Sequence, residues 1–239
     1  MFHHPIYLSS PYFIQSLMLS AHAGVREYLR NGKQFQLAYA DVMHSQWFNS
    51  EQLQQLQLNK LRSQLQYAVS SVPFYRECLR MQQLTLDDFN SLGDFQKLPI
   101  LDKKQLQAQP QQFCAEGAKK TFTAYSSGTT GSPLAIKQDL AAISREHAFV
   151  WRQLNWAGYR RGQRRVWFRG DMVTPESQKN PPFWRHNYVE NMLLLSSYHL
   201  AEQYADVYLQ ALSEFDPVLI QAYPSSIVYL AKILEQRKQ

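Results

Sequence analysis

The sequence contains little cysteine, glycine and proline, and few charged residues for its length. Two cysteines in 239 residues cannot build a disulfide framework or a four-cysteine zinc site, so Cys78 and Cys114 are expected to be reduced thiols of a cytoplasmic protein. Nine glycines and eleven prolines are too few for a collagen-like or low-complexity scaffold. Because 45% of the residues are hydrophobic and only 18% are charged, intrinsic disorder is excluded as well.

A long uninterrupted apolar run is also missing from the amino-terminal region. Pro5 and Pro11 interrupt its first apolar stretch, and no basic residue precedes that stretch, which is unlike a signal peptide. Between residues 12 and 23, apolar side chains recur at helical spacing, namely Phe13, Ile14, Leu17, Met18 and Ala21. This spacing predicts an amphipathic helix whose apolar face docks on the protein or, alternatively, lies at a membrane surface as a peripheral contact.

Basic residues are concentrated at one place only. The cluster consists of Arg160, Arg161, Arg164, Arg165 and Arg169. Such a cluster could meet phosphate, nucleic acid or anionic lipid, or it could be a solvated turn. Because aromatic residues do not interleave with it in a stacking pattern beyond two neighbouring positions, no nucleic-acid partner is expected.

The patterning divides the chain into a mainly helical region, residues 1–120, and an α/β region, residues 121–239. A glutamine-rich helix begins at Asn49 or Ser50 and ends before Pro73. In the second region, strands predicted at 121–125, 134–137, 165–169, 192–196 and 217–221 alternate with helices at 139–157, 201–215 and 225–237, and 171–188 is an irregular loop. This alternation predicts an α/β fold with a largely parallel sheet.

A turn rich in hydroxyl groups and glycine follows the first predicted strand. Its sequence, from Tyr125 to Pro133, is YSSGTTGSP. Two glycines allow a tight turn, and the amide groups could form a concave nest for phosphate oxygens. The spacing is not that of a Walker A loop, and a simple hairpin turn remains the alternative.

This turn resembles the phosphate-binding loop of the adenylate-forming enzymes, whose pattern is Ser/Thr-Ser-Gly-Thr-Thr-Gly-x-Pro. The chain resembles, more narrowly, the phenylacetate–CoA ligase-like branch and the group within it that occurs in capsular polysaccharide clusters. The stretches that carry this likeness are 72–75, 98–103, 156–162, 193–200, 215–217 and 221–226. The resemblance implies the large amino-terminal domain of such an enzyme.

The resemblance also implies site residues. The loop would hold the β- and γ-phosphates of ATP through Ser126, Ser127, Gly128, Thr129, Thr130 and Gly131. Many relatives have lysine directly after this loop, whereas this chain has Ser132, so Lys137 is the nearest substitute. An acyl-side substrate pocket would include Arg169, Gly170 and Asp171, with Tyr223, Pro224 and Ser225 beginning a helix near that cleft. The alternatives are an ordinary strand end and a proline-started helix cap.

The implied reaction joins a carboxylic acid to ATP, with Mg²⁺, to give an acyl-adenylate and pyrophosphate before transfer to a thiol or other acceptor. Other family motifs, among them Tyr-Gly-x-Thr/Ser-Glu and a carboxy-terminal lysine, do not occur before Gln239. The chain is therefore expected to be roughly the first half of such a protein and not to perform the reaction alone. The alternative function is a non-catalytic binding or scaffold module at the membrane surface in polysaccharide assembly.

No catalytic residue is identified from the sequence. His147, His186 and His199 have no partner histidine or carboxylate at metal-binding spacing, so structural roles are expected and no metal site is predicted. The two cysteines have no local partner that would mark a nucleophile.

Overall fold

The computed structural model describes residues 4–118, 120–126 and 132–237. Five residues of the predicted phosphate loop, Ser127, Gly128, Thr129, Thr130 and Gly131, lie outside this part of the chain. The chain divides into two units, one of residues 1–29 with 153–239 and the other of residues 30–152. The organisation into regions 1–120 and 121–239 stays a prediction about the sequence pattern.

The α-helices of the described part are α1 (Pro5–Ser9), α2 (Tyr12–Arg30), α3 (Lys33–Ser45), α4 (Ser50–Ser71), α5 (Pro73–Met81), α6 (Lys103–Ala108), α7 (Leu140–Trp156), α8 (Ala205–Phe215) and α9 (Pro224–Arg237). The strands are β1 (Phe122–Tyr125), β2 (Ala135–Gln138), β3 (Arg165–Phe168), β4 (Trp184–Asn187), β5 (Met192–Leu195) and β6 (Leu219–Ala222). Among the described helices, none is both long enough and apolar enough to cross a membrane.

A four-stranded sheet of order β4-β5-β3-β6 organises the first unit. Strand β3 pairs in parallel with both β5 and β6, while β4 pairs antiparallel with β5. The predicted α/β fold with a largely parallel sheet is therefore confirmed. The prediction of an irregular loop over 171–188 was wrong at β4, because its sequence Trp-Arg-His-Asn has no strand pattern of its own and is fixed by pairing with β5.

The sheet is covered by helices on both faces. On one face, Val166 and Phe168 of β3 and Leu193 and Leu195 of β5 join a core with α8 and α9. On the other face, alternate residues pack against the amino-terminal segment in a second core, formed by Tyr7, Leu19, Val173, Met192 and Leu194. This alternation is the period-two pattern of a strand buried on both sides.

Helix α2 packs on this unit with its more polar side. Gln15, Ser16 and Ser20 are buried, whereas Phe13, Ile14 and Leu17 are 42–58% exposed. The serine hydroxyls accept hydrogen bonds from the backbone N–H groups of His186 and Tyr188, at 3.3 Å and 2.9 Å, on the open side of β4. The prediction that the apolar face docks was wrong for these three exposed residues, because an edge strand with free N–H groups requires acceptors rather than apolar side chains. Met18 of the same face does pack against the second core.

The second unit is built mainly from α3 to α7. Helix α4 begins after Asn49, one of the two starts that its sequence predicts, and Asn49 and Gln52 exchange two hydrogen bonds of 2.9 Å in a capping box. The core of this second unit includes Leu65, Leu79 and Phe89. Strands β1 and β2 form an antiparallel hairpin whose residues are almost all exposed.

Candidate functional site

Three parallel strands of the first unit end at the same edge of the sheet. The residues that follow them are Arg169–Asp171 after β3, Ser196–His199 after β5 and Tyr223–Ser225 after β6. In open α/β sheets, ligands bind outside the carboxyl ends of the strands. We call these three segments the carboxyl-edge site.

Arg169 is the cationic side chain of this site. Its guanidinium lies 5.0 Å from the ring centroid of Trp167 and 4.9 Å from that of Tyr223, so two aromatic rings hold it. Cation–π contacts of this kind fix a guanidinium without neutralising its charge. Within the described ranges, no carboxylate lies within ion-pair distance of Arg169, so its hydrogen-bond donors are available to an anionic ligand.

Gly170 allows the close approach of Tyr223. A Cβ atom at this position would lie 3.2 Å from Cε2 of Tyr223, tighter than an ordinary van der Waals contact. The Tyr223 N–H donates to the carbonyl of Phe168 at 3.1 Å, which fixes the start of α9 against β3. The structure therefore brings together Arg169, Gly170 and Tyr223, which the sequence resemblance assigned to one pocket.

The remaining predicted pocket residues occupy less central positions. One carboxylate oxygen of Asp171 accepts a hydrogen bond of 2.5 Å from the indole N–H of Trp167. Pro224 and Ser225 form the first turn of α9, where proline is favoured because its missing N–H would be unpaired in any case. Among the described contacts, no side-chain hydrogen bond links either residue to Arg169 or Asp171.

His199 also belongs to the carboxyl-edge site, although its sequence neighbours predict a structural role. Its Nδ1 lies 2.8 Å from the hydroxyl of Ser196 and 3.2 Å from that of Thr174, and its ring stacks on Phe183 at 4.7 Å. The preceding residues are tied to the Arg169 loop, since the Ser197 hydroxyl donates to the carbonyl of Arg169 at 3.1 Å. The signal in the sequence is the polar run Ser-Ser-Tyr-His directly after the buried strand β5.

The arginine cluster is not one basic surface. Arg161 pairs with Glu27, and Arg164 pairs with Asp216. Arg165 is buried, with its guanidinium 4.0 Å from Glu190, and Arg169 lies at the opposite end of β3. Ion pairing and burial therefore remove most of the positive charge that the sequence pattern suggested for a phosphate, nucleic-acid or lipid contact.

The predicted phosphate loop is described only at its base, in the second unit. The backbone N–H of Ser126 donates to the carbonyl of Leu134 at 3.0 Å, and the N–H of Leu134 donates to the Ser126 hydroxyl at 2.9 Å. Gln107 supports the exit of the loop through a 2.9 Å hydrogen bond to the carbonyl of Ser132. Lys137 is exposed on β2 opposite Thr123.

The other candidates from the sequence have ordinary packing contacts. His147 accepts a hydrogen bond of 2.9 Å from the indole N–H of Trp151, and burial lowers the pKa of His186 on β4. Burial raises the pKa of the Cys78 thiol, which disfavours the nucleophilic thiolate. In the described part of the chain, no group of three or more histidine, cysteine or acidic side chains could hold a metal ion.

Comparison with solved structures identifies the class of fold. The chain is similar to 2-hydroxyisobutyryl-CoA ligase, solved in complex with 2-HIB-AMP and CoA, with a TM-score of 0.55 and 20% identity over 80% of this chain and 41% of that one. An open conformation of the same ligase matches with a TM-score of 0.53. The fold is therefore that of CoA-ligase domains.

Sequence comparison finds relatives of this chain. Protein CapK of Staphylococcus aureus is 24% identical over 96% of this chain and 50% of its own length. A phenylacetate–coenzyme A ligase of Aromatoleum evansii is 30% identical over 48% of this chain and 26% of its own length. No protein-family model matches. The chain is thus similar to adenylate-forming, phenylacetate–CoA ligase-like proteins, and it spans at most about half the length of these relatives.

Proposed function

We propose that this chain is part of an ATP-dependent ligase that activates a carboxylic acid as an acyl-adenylate. The observation that carries the proposal is the carboxyl-edge site, where Arg169 is held between two aromatic rings with its charge not neutralised by any described carboxylate. The solved ligase with the same fold carries 2-HIB-AMP, an acyl-adenylate, and CoA. Polysaccharide or cell-envelope biosynthesis is the setting that we propose for the product.

ATP would be bound by residues 126–131, and Mg²⁺ would be held largely through its phosphates. At the base of this loop, Ser126 and Leu134 close the hairpin with two hydrogen bonds, which suits a loop that must present its amides to a ligand. ATP supplies the adenylyl group that makes the acid reactive. The residues of this chain position the acid, and completion of the reaction would use groups outside it.

The test is ATP–pyrophosphate exchange with a panel of carboxylic acids, measured for this chain and for the chain extended by any sequence that follows it in frame. We expect exchange only from the extended protein, and we expect Arg169→Gln to reduce it at least tenfold. The matched control is Arg164→Gln, which removes an exposed arginine that pairs with Asp216, an interaction of about 0–1 kcal/mol. Absence of both exchange and ATP binding in the extended protein would refute the proposal.

A second candidate function, a scaffold module at a membrane surface, rests on the exposed apolar face of α2. Phe13, Ile14 and Leu17 expose 58%, 42% and 44% of their surface, and such a face can insert between lipid headgroups. The expected result is co-sedimentation with anionic vesicles that is lost in Phe13→Ser/Leu17→Ser but kept in Val228→Ser, a similarly exposed position on α9. No binding at low salt would eliminate this candidate.

A further inference from the structure

The orientation of the His199 ring is fixed by three neighbours. The hydroxyls of Ser196 and Thr174 both face Nδ1, at 2.8 Å and 3.2 Å, and Phe183 stacks on the ring with an interplanar angle of 11°. This leaves Nε2 as the ring nitrogen that has no partner among the described residues. His199 itself is only partly buried, so Nε2 can be reached by a ligand.

The same contacts favour one of the two ring nitrogens of His199 as the one that carries the proton. Ser196 and Thr174 are 0% and 1% exposed, and His199 Nδ1 is the only acceptor in the described structure for either hydroxyl proton. Buried hydroxyl groups almost always donate their proton. If Nδ1 carried the ring proton, neither hydroxyl would have an acceptor there. This arrangement favours Nδ1, whose single lone pair accepts from one hydroxyl at a time, as the acceptor, and Nε2 as the nitrogen that carries the proton of the neutral ring.

His199 and Arg169 stand on adjoining loops. Besides the hydrogen bond from Ser197 to the Arg169 carbonyl, the Tyr198 hydroxyl donates to the carbonyl of Gly170 at 3.1 Å. These two bonds join the segment after β5 to the segment after β3. The carboxyl-edge site thus contains a cationic fork and a ring N–H donor on two adjoining loops.

The charges at the carboxyl-edge site favour a monoanionic ligand over a dianionic one. Arg169 contributes one positive charge, and Asp171, two residues further on, contributes one negative charge that faces the indole of Trp167. A dianion such as phosphate would meet the repulsion of Asp171, whereas a monoanion would meet less of it. A carboxylate matches the planar fork of arginine and has a second oxygen for another donor.

We propose that His199 is a positioning residue which donates an Nε2–H hydrogen bond to the carboxylate that Arg169 binds. This inference rests on the proposed function, because the carboxylate is that of the acid to be activated. His199 holds the acid in one orientation, and Ser196 and Thr174 hold His199 in the tautomer that can donate.

The first experiment uses the unmodified chain. Two-bond ¹H–¹⁵N correlation spectra of the histidine rings distinguish a protonated from an unprotonated nitrogen, and the His199→Asn spectrum assigns the His199 signals. We expect Nε2 to be protonated and Nδ1 unprotonated at a pH where the ring is neutral. A proton on Nδ1 would overturn the inference.

The second experiment measures binding by calorimetry with three probes: phenylacetate, the neutral phenylacetamide and inorganic phosphate. Asparagine at position 199 keeps an acceptor near the place of Nδ1 but has no donor at the place of Nε2. We expect His199→Asn to weaken phenylacetate binding at least tenfold without changing phenylacetamide binding. The matched control, His44→Asn on an exposed face of α3, should change neither.

Several results would overturn the inference. These are an unchanged phenylacetate affinity in His199→Asn, phosphate binding more tightly than phenylacetate in the wild type, and no binding of phenylacetate at all. Failure of the proposed function is a separate result. Carboxylate binding that depends on His199, without ATP–pyrophosphate exchange in the extended protein, would refute ATP-dependent activation and leave the carboxylate site.

Discussion

A buried arginine in the first unit allows a quantitative test of how α2 is attached. Arg185 on β4 is 2% exposed, and its Nε donates to the side-chain oxygen of Gln15, which is 1% exposed. Its other N–H groups donate to the carbonyls of Trp184 and Pro182 at 2.6 Å and 3.0 Å and to the side chain of Gln178 at 3.1 Å. All of these acceptors are neutral, and burial lowers the pKa of the guanidinium.

Arg185→Met leaves the buried oxygen of Gln15 without a donor. Gln15→Met leaves the buried cation with one acceptor fewer and also removes the 2.7 Å hydrogen bond from the Gln15 amide to the carbonyl of Tyr7. An unsatisfied buried acceptor costs about 1–3 kcal/mol, and a hydrogen bond to a charged group contributes about 1.5–3 kcal/mol. We therefore expect destabilisation of about 3 kcal/mol for Arg185→Met and about 3 kcal/mol for Gln15→Met. The double variant should lose about 4 kcal/mol rather than the sum of about 6 kcal/mol, because both changes remove the Arg185–Gln15 hydrogen bond and it is lost only once.

The assay is urea unfolding followed by the amide NMR signals of β5, which report on this unit. Equal slopes of free energy against urea concentration would show that the variants unfold similarly. If the two effects add within about 0.5 kcal/mol, the side chains are not energetically coupled and the reasoning is refuted.

Three further changes test other contacts. Ser20→Ala removes the acceptor for the N–H of Tyr188 and should destabilise the first unit by about 1–2 kcal/mol, with faster amide exchange at Tyr188; unchanged exchange would contradict the assignment. Burial raises the pKa of Tyr7 from 10.0 to about 12, so the folded state keeps the neutral form while the unfolded state ionises first. Stability should be intact below pH 10 and fall by about 2–3 kcal/mol, relative to Tyr7→Phe, as the pH rises to 12; equal pH dependence of the two proteins would exclude this. Gly170→Ala should push Tyr223 from Arg169 by a few tenths of an ångström and weaken phenylacetate binding several-fold, while thermal stability changes little; unchanged binding would show that the close approach is not required.

The parallel core of the sheet is predictable because its strands carry their own signals. Strands β3 and β5 are short runs of apolar residues, and each is followed by a turn and a helix or loop. These runs must be buried on both faces, which only a covered parallel sheet allows. The same argument places Arg169 and Tyr223 at strand ends, so much of the carboxyl-edge site follows from the sequence.

The parts that the sequence did not predict depend on contacts between distant segments. Strand β4 and the docking side of α2 stabilise each other, since the hydroxyls of Ser16 and Ser20 accept hydrogen bonds from backbone N–H groups on the open side of β4. Neither segment shows this contact when its sequence is read alone. Similarly, His199 has no polar partner until Thr174 is brought next to it by the loop after β3. Periodicity within a single segment cannot show such pairings.

The way α2 covers β4 has a consequence for handling this protein. A sheet edge with free N–H groups is a template on which another chain can add a strand. Here two serine hydroxyls accept hydrogen bonds from those N–H groups, so the helix prevents another chain from pairing with this edge. A shortened version that begins after Arg30 would lose these hydroxyls together with the Tyr7 and Leu19 side chains that cover one sheet face, and we expect it to aggregate although every residue of the sheet is still present.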